Sequence, residues 1–357
     1  MKQIFIGWLL LVLTGCISSP PITTETTESN PLITLPIGLS YPPISTASGL
    51  AFTVQQMEAL NINLVRIGTN WVNREPEPGT YSWAALDNRI NTLYESGASI
   101  LLTIPASGPD WVCNKTTNKG TCVFTDDSAF RSYVAALITR YHGKIDKLQF
   151  GNEWDNLDWY PGTAEDFVRT TNILYAVVKE VSPETDVVLG GLTSTYPLFI
   201  TVCKNGEQLS FSTIDLKPGK DPMQKIEHQI CSREDLISRV EHVFAYANYD
   251  LVDLHLYDIS EYWPQAVAVV KNLSDKPLII SEFGGPSPDY ERYSQIYHAR
   301  RLEQYLLTLN KLPIEEAYYF NLVDNLSTYH NRSGLFTILH SKKKAFYTMQ
   351  NMLGWEE

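Results

Sequence analysis

The sequence predicts a single (β/α)8 TIM barrel, and three observations carry that expectation. From residue 37 onward, eight short runs of β-branched and other apolar residues recur along the chain. Between them lie longer stretches with apolar residues at i, i+3 and i+4, the spacing of a helix with one buried face. Strand and helix alternate, which implies a parallel sheet, and eight such units in about 300 residues suit a closed barrel. An open doubly wound sheet is the rival, but neither GxGxxG nor GxxxxGK[ST] follows the first run.

The chain begins MKQIFIGWLLLVLTGC. Lys2 precedes an apolar run, Ile4 to Leu13, that is too short for a bilayer, where about 20 residues are needed. It reads as a secretory signal. The run ends Leu13-Thr14-Gly15-Cys16, which resembles the prokaryotic lipoprotein box. That resemblance implies cleavage before Cys16 and its lipidation. The expected organisation is a signal peptide over 1–15, a lipid-anchored Ser/Thr/Pro-rich tether over 16–36, and the barrel over 37–357. The expected location is outside the cytoplasm of a prokaryote, with the lipid as the sole membrane contact.

The predicted strands are 37–40, 64–68, 99–104, 147–150, 186–190, 251–256, 277–281 and 316–321. The predicted helices are 53–61, 84–96, 128–141, 164–181, 234–246, 263–273, 293–310 and 345–353. A long stretch over 197–233 follows strand five and carries Cys203 and Cys231. Cys113 and Cys122 lie after strand three. With Cys16 assigned to lipid, these four can pair in three ways outside the cytoplasm, and proximity favours Cys113–Cys122 and Cys203–Cys231. A zinc site would need CxxC spacing, which is absent.

A formal charge of -12 argues against nucleic acid as a partner, since that needs a basic stripe. No cofactor or metal is expected: a metal-dependent barrel needs clustered histidines, and no His-x-His follows the first strand. A monomer is expected.

In a barrel, chemistry belongs at the C-terminal ends of the strands. Strand four ends Phe150-Gly151-Asn152-Glu153-Trp154, and strand seven ends Ile280-Ser281-Glu282-Phe283. Each places a carboxylate beside an apolar run, where burial disfavours its charge. Two such glutamates facing one barrel mouth are the equipment for glycosidic bond hydrolysis.

With these residues the chain resembles the clan A glycoside hydrolases, a retaining (β/α)8 group with Asn-Glu after strand four and Glu after strand seven. The resemblance covers residues 37–353. It implies Glu153 as acid/base, Glu282 as nucleophile and Asn152 on a sugar 2-hydroxyl. It matches Arg66 to an arginine near the nucleophile, and His255 and Tyr257 to a strand-six pair whose tyrosine touches the nucleophile. Arg66 would favour the Glu282 carboxylate. Glu153 must hold its proton until donation, with an apolar lip from Trp154. The implied partner is an oligo- or polysaccharide. Aromatic residues in loops after strands suggest sugar-stacking platforms, with Trp154 and Trp111 preferred over Trp71, Trp159, Tyr160 and Trp263. Many clan members carry Trp at the end of strand eight; here Asn321 or Asp324 would supply that floor by hydrogen bonding. The alternative function is a non-catalytic carbohydrate-binding lipoprotein on a degenerate barrel.

Overall fold

In the computed structural model, residues 33–354 are described, except 115, 210–216, 220–222, 224–225, 258 and 287–290. The expected signal peptide, Cys16 and most of the tether lie outside the described residues. Eight parallel strands form the barrel: β1 (Ile37–Ser40), β2 (Leu64–Gly68), β3 (Ser99–Ile104), β4 (Lys147–Asn152), β5 (Asp186–Gly191), β6 (Val252–Tyr257), β7 (Leu278–Gly284) and β8 (Ala317–Tyr319). β1 pairs with both β2 and β8. Between β5 and β6 the backbone bonds Leu189 N–H to Leu251 O and His255 N–H to Leu192 O close the ring.

The strands are buried on both faces, as a sheet inside a helical layer requires. One face packs on helices α1 (Ala47–Ala59), α2 (Ala84–Glu95), α3 (Asp127–Arg140), α4 (Ala164–Val181), α5 (Asp235–Tyr246), α6 (Trp263–Lys271), α7 (Gln295–Leu309) and α8 (Lys344–Met352). The other face fills the barrel with Leu64, Leu101, Val188, Leu251, Ile279 and Tyr318. Gly38 makes room for the last of these: a Cβ there would meet the Tyr318 ring at 2.5 Å.

Side chains on one face of a strand recur every two residues. Two residues beyond Leu64, Leu101, Leu251 and Ile279 stand Arg66, Thr103, Asp253 and Ser281, all buried. An apolar plug therefore gives way to a polar layer toward the barrel mouth, and this layer carries the site.

Some boundaries differ from expectation. α1 begins at Ala47, not 53, because Thr46 caps it by accepting from Gly49 N–H. The Ala-Ser-Gly opening turn has no apolar spacing to reveal it. β7 runs to Gly284, so Glu282 sits within the strand. The observed disulfides are Cys113–Cys122, stapling a small hairpin after β3, and Cys203–Cys231, crossing the insertion between β5 and α5. Among the described residues, no helix is long and apolar enough to cross a membrane.

Candidate active site

Glu282 faces inward from β7 and both its oxygens are engaged. Oε1 accepts from Arg66 Nη1 at 2.6 Å, and Oε2 accepts from the Tyr257 hydroxyl at 2.6 Å. Arg66 is fully buried. Its remaining donors reach Thr103 Oγ1 at 3.1 Å, Gln149 Oε1 at 3.0 Å and Asn152 Oδ1 at 2.9 Å. A buried guanidinium is tolerable only when paired and fully bonded, and here it ties β2, β3, β4 and β7 together. The Tyr41 ring lies 4.8 Å from its centre.

A second group lies beside it. Asp253 accepts from Ser281 N–H at 2.8 Å, Ser281 Oγ at 2.5 Å and Gln149 Nε2 at 2.6 Å. The Ser281 hydroxyl spends its one proton on Asp253, so at 3.1 Å it accepts from His255 Nε2. His255 Nδ1 faces carboxylate oxygens of Glu153 at 3.1 Å and Glu282 at 3.7 Å. A ring protonated at both nitrogens would donate to each of these partners. Burial opposes that charge, but the Glu282 charge and the nearby Asp253 and Glu153 carboxylates outweigh it, pushing the His255 pKa up to about 10. Burial would likewise raise Glu282; the His255 and Arg66 charges and the Tyr257 bond overcome it and hold its carboxyl below the usual value.

Glu153 follows β4 in a left-handed turn, with φ of 80° at Gly151 and 47° at Glu153. A positive φ is uncommon for a residue with a side chain. It aims Glu153 across the mouth, where one of its oxygens, one of Glu282 and a His255 nitrogen all lie within 4.8 Å of one another. Among the described residues this trio is the one group with metal-ligand spacing. Its donor set fits a cation poorly: Glu282 already binds a guanidinium and a hydroxyl, and a protonated His255 ring offers no lone pair.

These side chains open onto a cavity of about 680 Å³. Asn152, Glu153, Tyr257, Glu282 and Asn321 line it. Arg66 and His255 lie directly beneath, bonded to the carboxylates. Asn321 is buried and its Oδ1 has no partner among the described residues.

Trp154 and Trp111 correct the expectation. Trp154 is 0% exposed, stacked on Phe167 with its Nε1 donating to Gly190 O, so it offers no face to a ligand. The left-handed turn at Glu153 sends the next side chain back between β4 and β5. Trp111 packs edge-on against Trp71, donates to Pro76 O and does not line the cavity. Asp324 binds Lys343 and Gly334 N–H instead of forming a floor. The aromatic residues that do line the cavity include Trp159, Tyr41 and Phe320. Phe320 closes the strand-eight apolar run, a signal that could have found it. Gln149, Thr103, Asp253 and Ser281 were missed because each sits inside a run that reads as strand. His330, from the loop after β8, stacks face to face on Tyr257 at 3.9 Å; nothing in its local sequence marks it.

Comparison with known proteins agrees with this architecture. The family model described as beta-galactosidase, of glycoside hydrolase family 42, matches residues 42–121. No curated protein matches the chain by sequence. Among solved structures, an exo-beta-1,4-mannosidase from an Opitutaceae bacterium is similar at 16% identity and a TM-score of 0.63, covering 89% of this chain and 59% of that one. A glucosidase from Croceicoccus marinus gives 16% identity and 0.62, covering 88% and 66%. A family 1 β-glucosidase from Thermotoga maritima gives 14% and 0.56, covering 86% and 87%. The chain thus spans about three-fifths to two-thirds of the length of the first two. The likeness extends over most of this chain and shows a shared (β/α)8 fold.

Proposed function

We propose that the protein is a retaining β-glycosidase that cleaves β-linked oligo- or polysaccharide by double displacement. The spacing of the two carboxylates carries this reading. Their facing oxygens lie within 4.8 Å. Retaining enzymes place the two carboxyls about 5–5.5 Å apart, whereas inverting enzymes leave about 6.5–9.5 Å for an intervening water.

In the first step Glu282 attacks the anomeric carbon and forms a C–O bond, while the glycosidic C–O bond breaks and Glu153 gives its proton to the departing oxygen. In the second, Glu153 takes a proton from water, which displaces Glu282. The charges stay balanced. With the His255 ring protonated, Arg66, His255, Asp253 and Glu282 sum to zero while Glu153 holds its proton. When Glu282 becomes an ester, Glu153 has become the carboxylate, and the sum is again zero. No buried net charge has to be created. Asn152, held by Arg66, and Asn321, with an unspent acceptor, supply polar contacts for sugar hydroxyls. Phe320 supplies the flat apolar surface that the resemblance assigns to Trp.

The two disulfides support a location in an oxidising compartment, and with the N-terminal pattern they support a lipid-anchored protein outside the cytoplasm.

The test is hydrolysis of aryl β-glucosides, galactosides and mannosides by wild type, Glu282→Ala and Glu153→Ala. Both variants should lose activity on the best substrate, with azide rescuing Glu282→Ala to give product of inverted configuration. Equal activity in all three proteins would refute the reading.

A further inference from the structure

Glu153 sits on a loop, not on a strand, and its neighbours must hold it against an unfavourable backbone angle. The residues just after it are gripped from the β5–α5 side. Trp154 Nε1 donates to Gly190 O at 2.7 Å. Thr193 N–H donates to Asp155 at 3.0 Å and its hydroxyl at 2.5 Å. The broadest grip comes from Arg239 on α5. Its Nε and Nη2 donate to Trp154 O at 3.1 and 2.8 Å, Nη1 to Gly162 O at 2.8 Å, and Nη2 also to Tyr160 O at 3.2 Å.

No carboxylate among the described residues forms an ion pair with Arg239 within 4.0 Å. Its planar fork is instead spent on main-chain carbonyls of one loop, an arrangement that a flexible single-point ammonium cannot reproduce. The first of these carbonyls belongs to the residue that follows Glu153. The last lies beyond Trp159, which lines the cavity.

We propose that Arg239 is a positioning residue for the acid/base: it fixes the 153–162 loop so that the Glu153 carboxyl meets the leaving oxygen. This rests on the assignment of Glu153 as proton donor. It makes a selective demand. A leaving group that departs without a proton should not need Arg239, and one that requires protonation should.

The experiment compares phenyl and 2,4-dinitrophenyl β-glycosides of glucose, galactose and mannose with wild type, Arg239→Met, Arg239→Lys and Glu153→Ala. Arg239→Met should lower kcat/KM for the phenyl glycoside by about tenfold or more, the low side of a general acid's usual contribution. The dinitrophenyl glycoside should change by about threefold or less, since its departure needs little proton transfer. Arg239→Lys should fall between wild type and Arg239→Met. Equal loss on both substrates, or no loss on either, would overturn the proposal. If Glu153→Ala itself shows no leaving-group dependence, the acid assignment fails first, and the two failures are distinguishable. A crystal structure of whichever Arg239 variant is the more stable gives a readout independent of turnover. Displacement of Glu153 from His255 supports the role, and an undisturbed 153–162 loop overturns it.

Discussion

The two carboxylates are held in opposite ways. Glu282 lies inside a β-strand, 8% exposed, between a buried guanidinium and a tyrosine hydroxyl. Glu153 lies past its strand in a left-handed turn, partly open to the cavity, and the loop that follows it is held by Gly190 of β5 and Arg239 of α5. In the proposed roles, Glu282 as nucleophile must be a constant anion until it reacts, so permanent charges around it serve. Glu153 as acid/base must change protonation twice per cycle. A scaffold of main-chain hydrogen bonds can fix its position without fixing its charge.

Arg66→Met should have the largest effect of the substitutions that probe this contrast. It leaves Glu282 buried beside no guanidinium, strips the Asn152 acceptor of its Arg66 donor and leaves Gln149 Oε1 with the Thr103 hydroxyl alone. Losing one partner of a buried ion pair costs about 3–5 kcal/mol, which denaturant unfolding would measure. Activity should fall alike for phenyl and dinitrophenyl glycosides, unlike Arg239→Met. A leaving-group-selective loss in Arg66→Met would break the comparison.

Tyr257→Phe should be milder. It removes one hydrogen bond to the ionised Glu282, a change that lowers kcat/KM by about tenfold if its worth is at the low end for charged partners. Because that bond helps to lower the Glu282 pKa, its loss raises the pKa. The acid limb of the kcat/KM profile should then move to higher pH.

The smallest effect belongs to the acid/base side. Burial pushes Asp155 up to about 6, against the pull of its Thr193 bonds. A carboxyl whose folded pKa is raised contributes stability fully only below its unfolded value of 3.8, and that contribution is lost as pH rises through about 6. The midpoint of thermal unfolding should therefore fall less across that window in Asp155→Asn than in wild type. Parallel slopes would show that Asp155 does not titrate there.

The same contrast explains what could be read in the sequence. The eight strands were legible because apolar runs bounded by turns mark buried parallel strands. Glu153 and Glu282 were legible because a charge beside such a run conflicts with burial. The polar layer beneath them was not. Gln149 and Asp253 each break an apolar run by one residue, which a half-buried strand also does, and Ser281 reads as the end of its run before Glu282. Trp154 was misread because burial beyond a strand end depends on the turn, and one left-handed residue reversed its direction. Arg239 was invisible because its partner carbonyl lies 85 residues away and an arginine on a helix reads as a solvated charge.

Double displacement passes through a covalent intermediate on Glu282. Incubation with 2-deoxy-2-fluoro-β-glycosyl fluorides of the three sugars, followed by mass spectrometry of the digested protein, would trap it. One added glycosyl group is expected on the peptide containing Glu282, and none on Glu282→Ala. A label on any other residue, or turnover of β-glycosides with inverted product and no label, would contradict it.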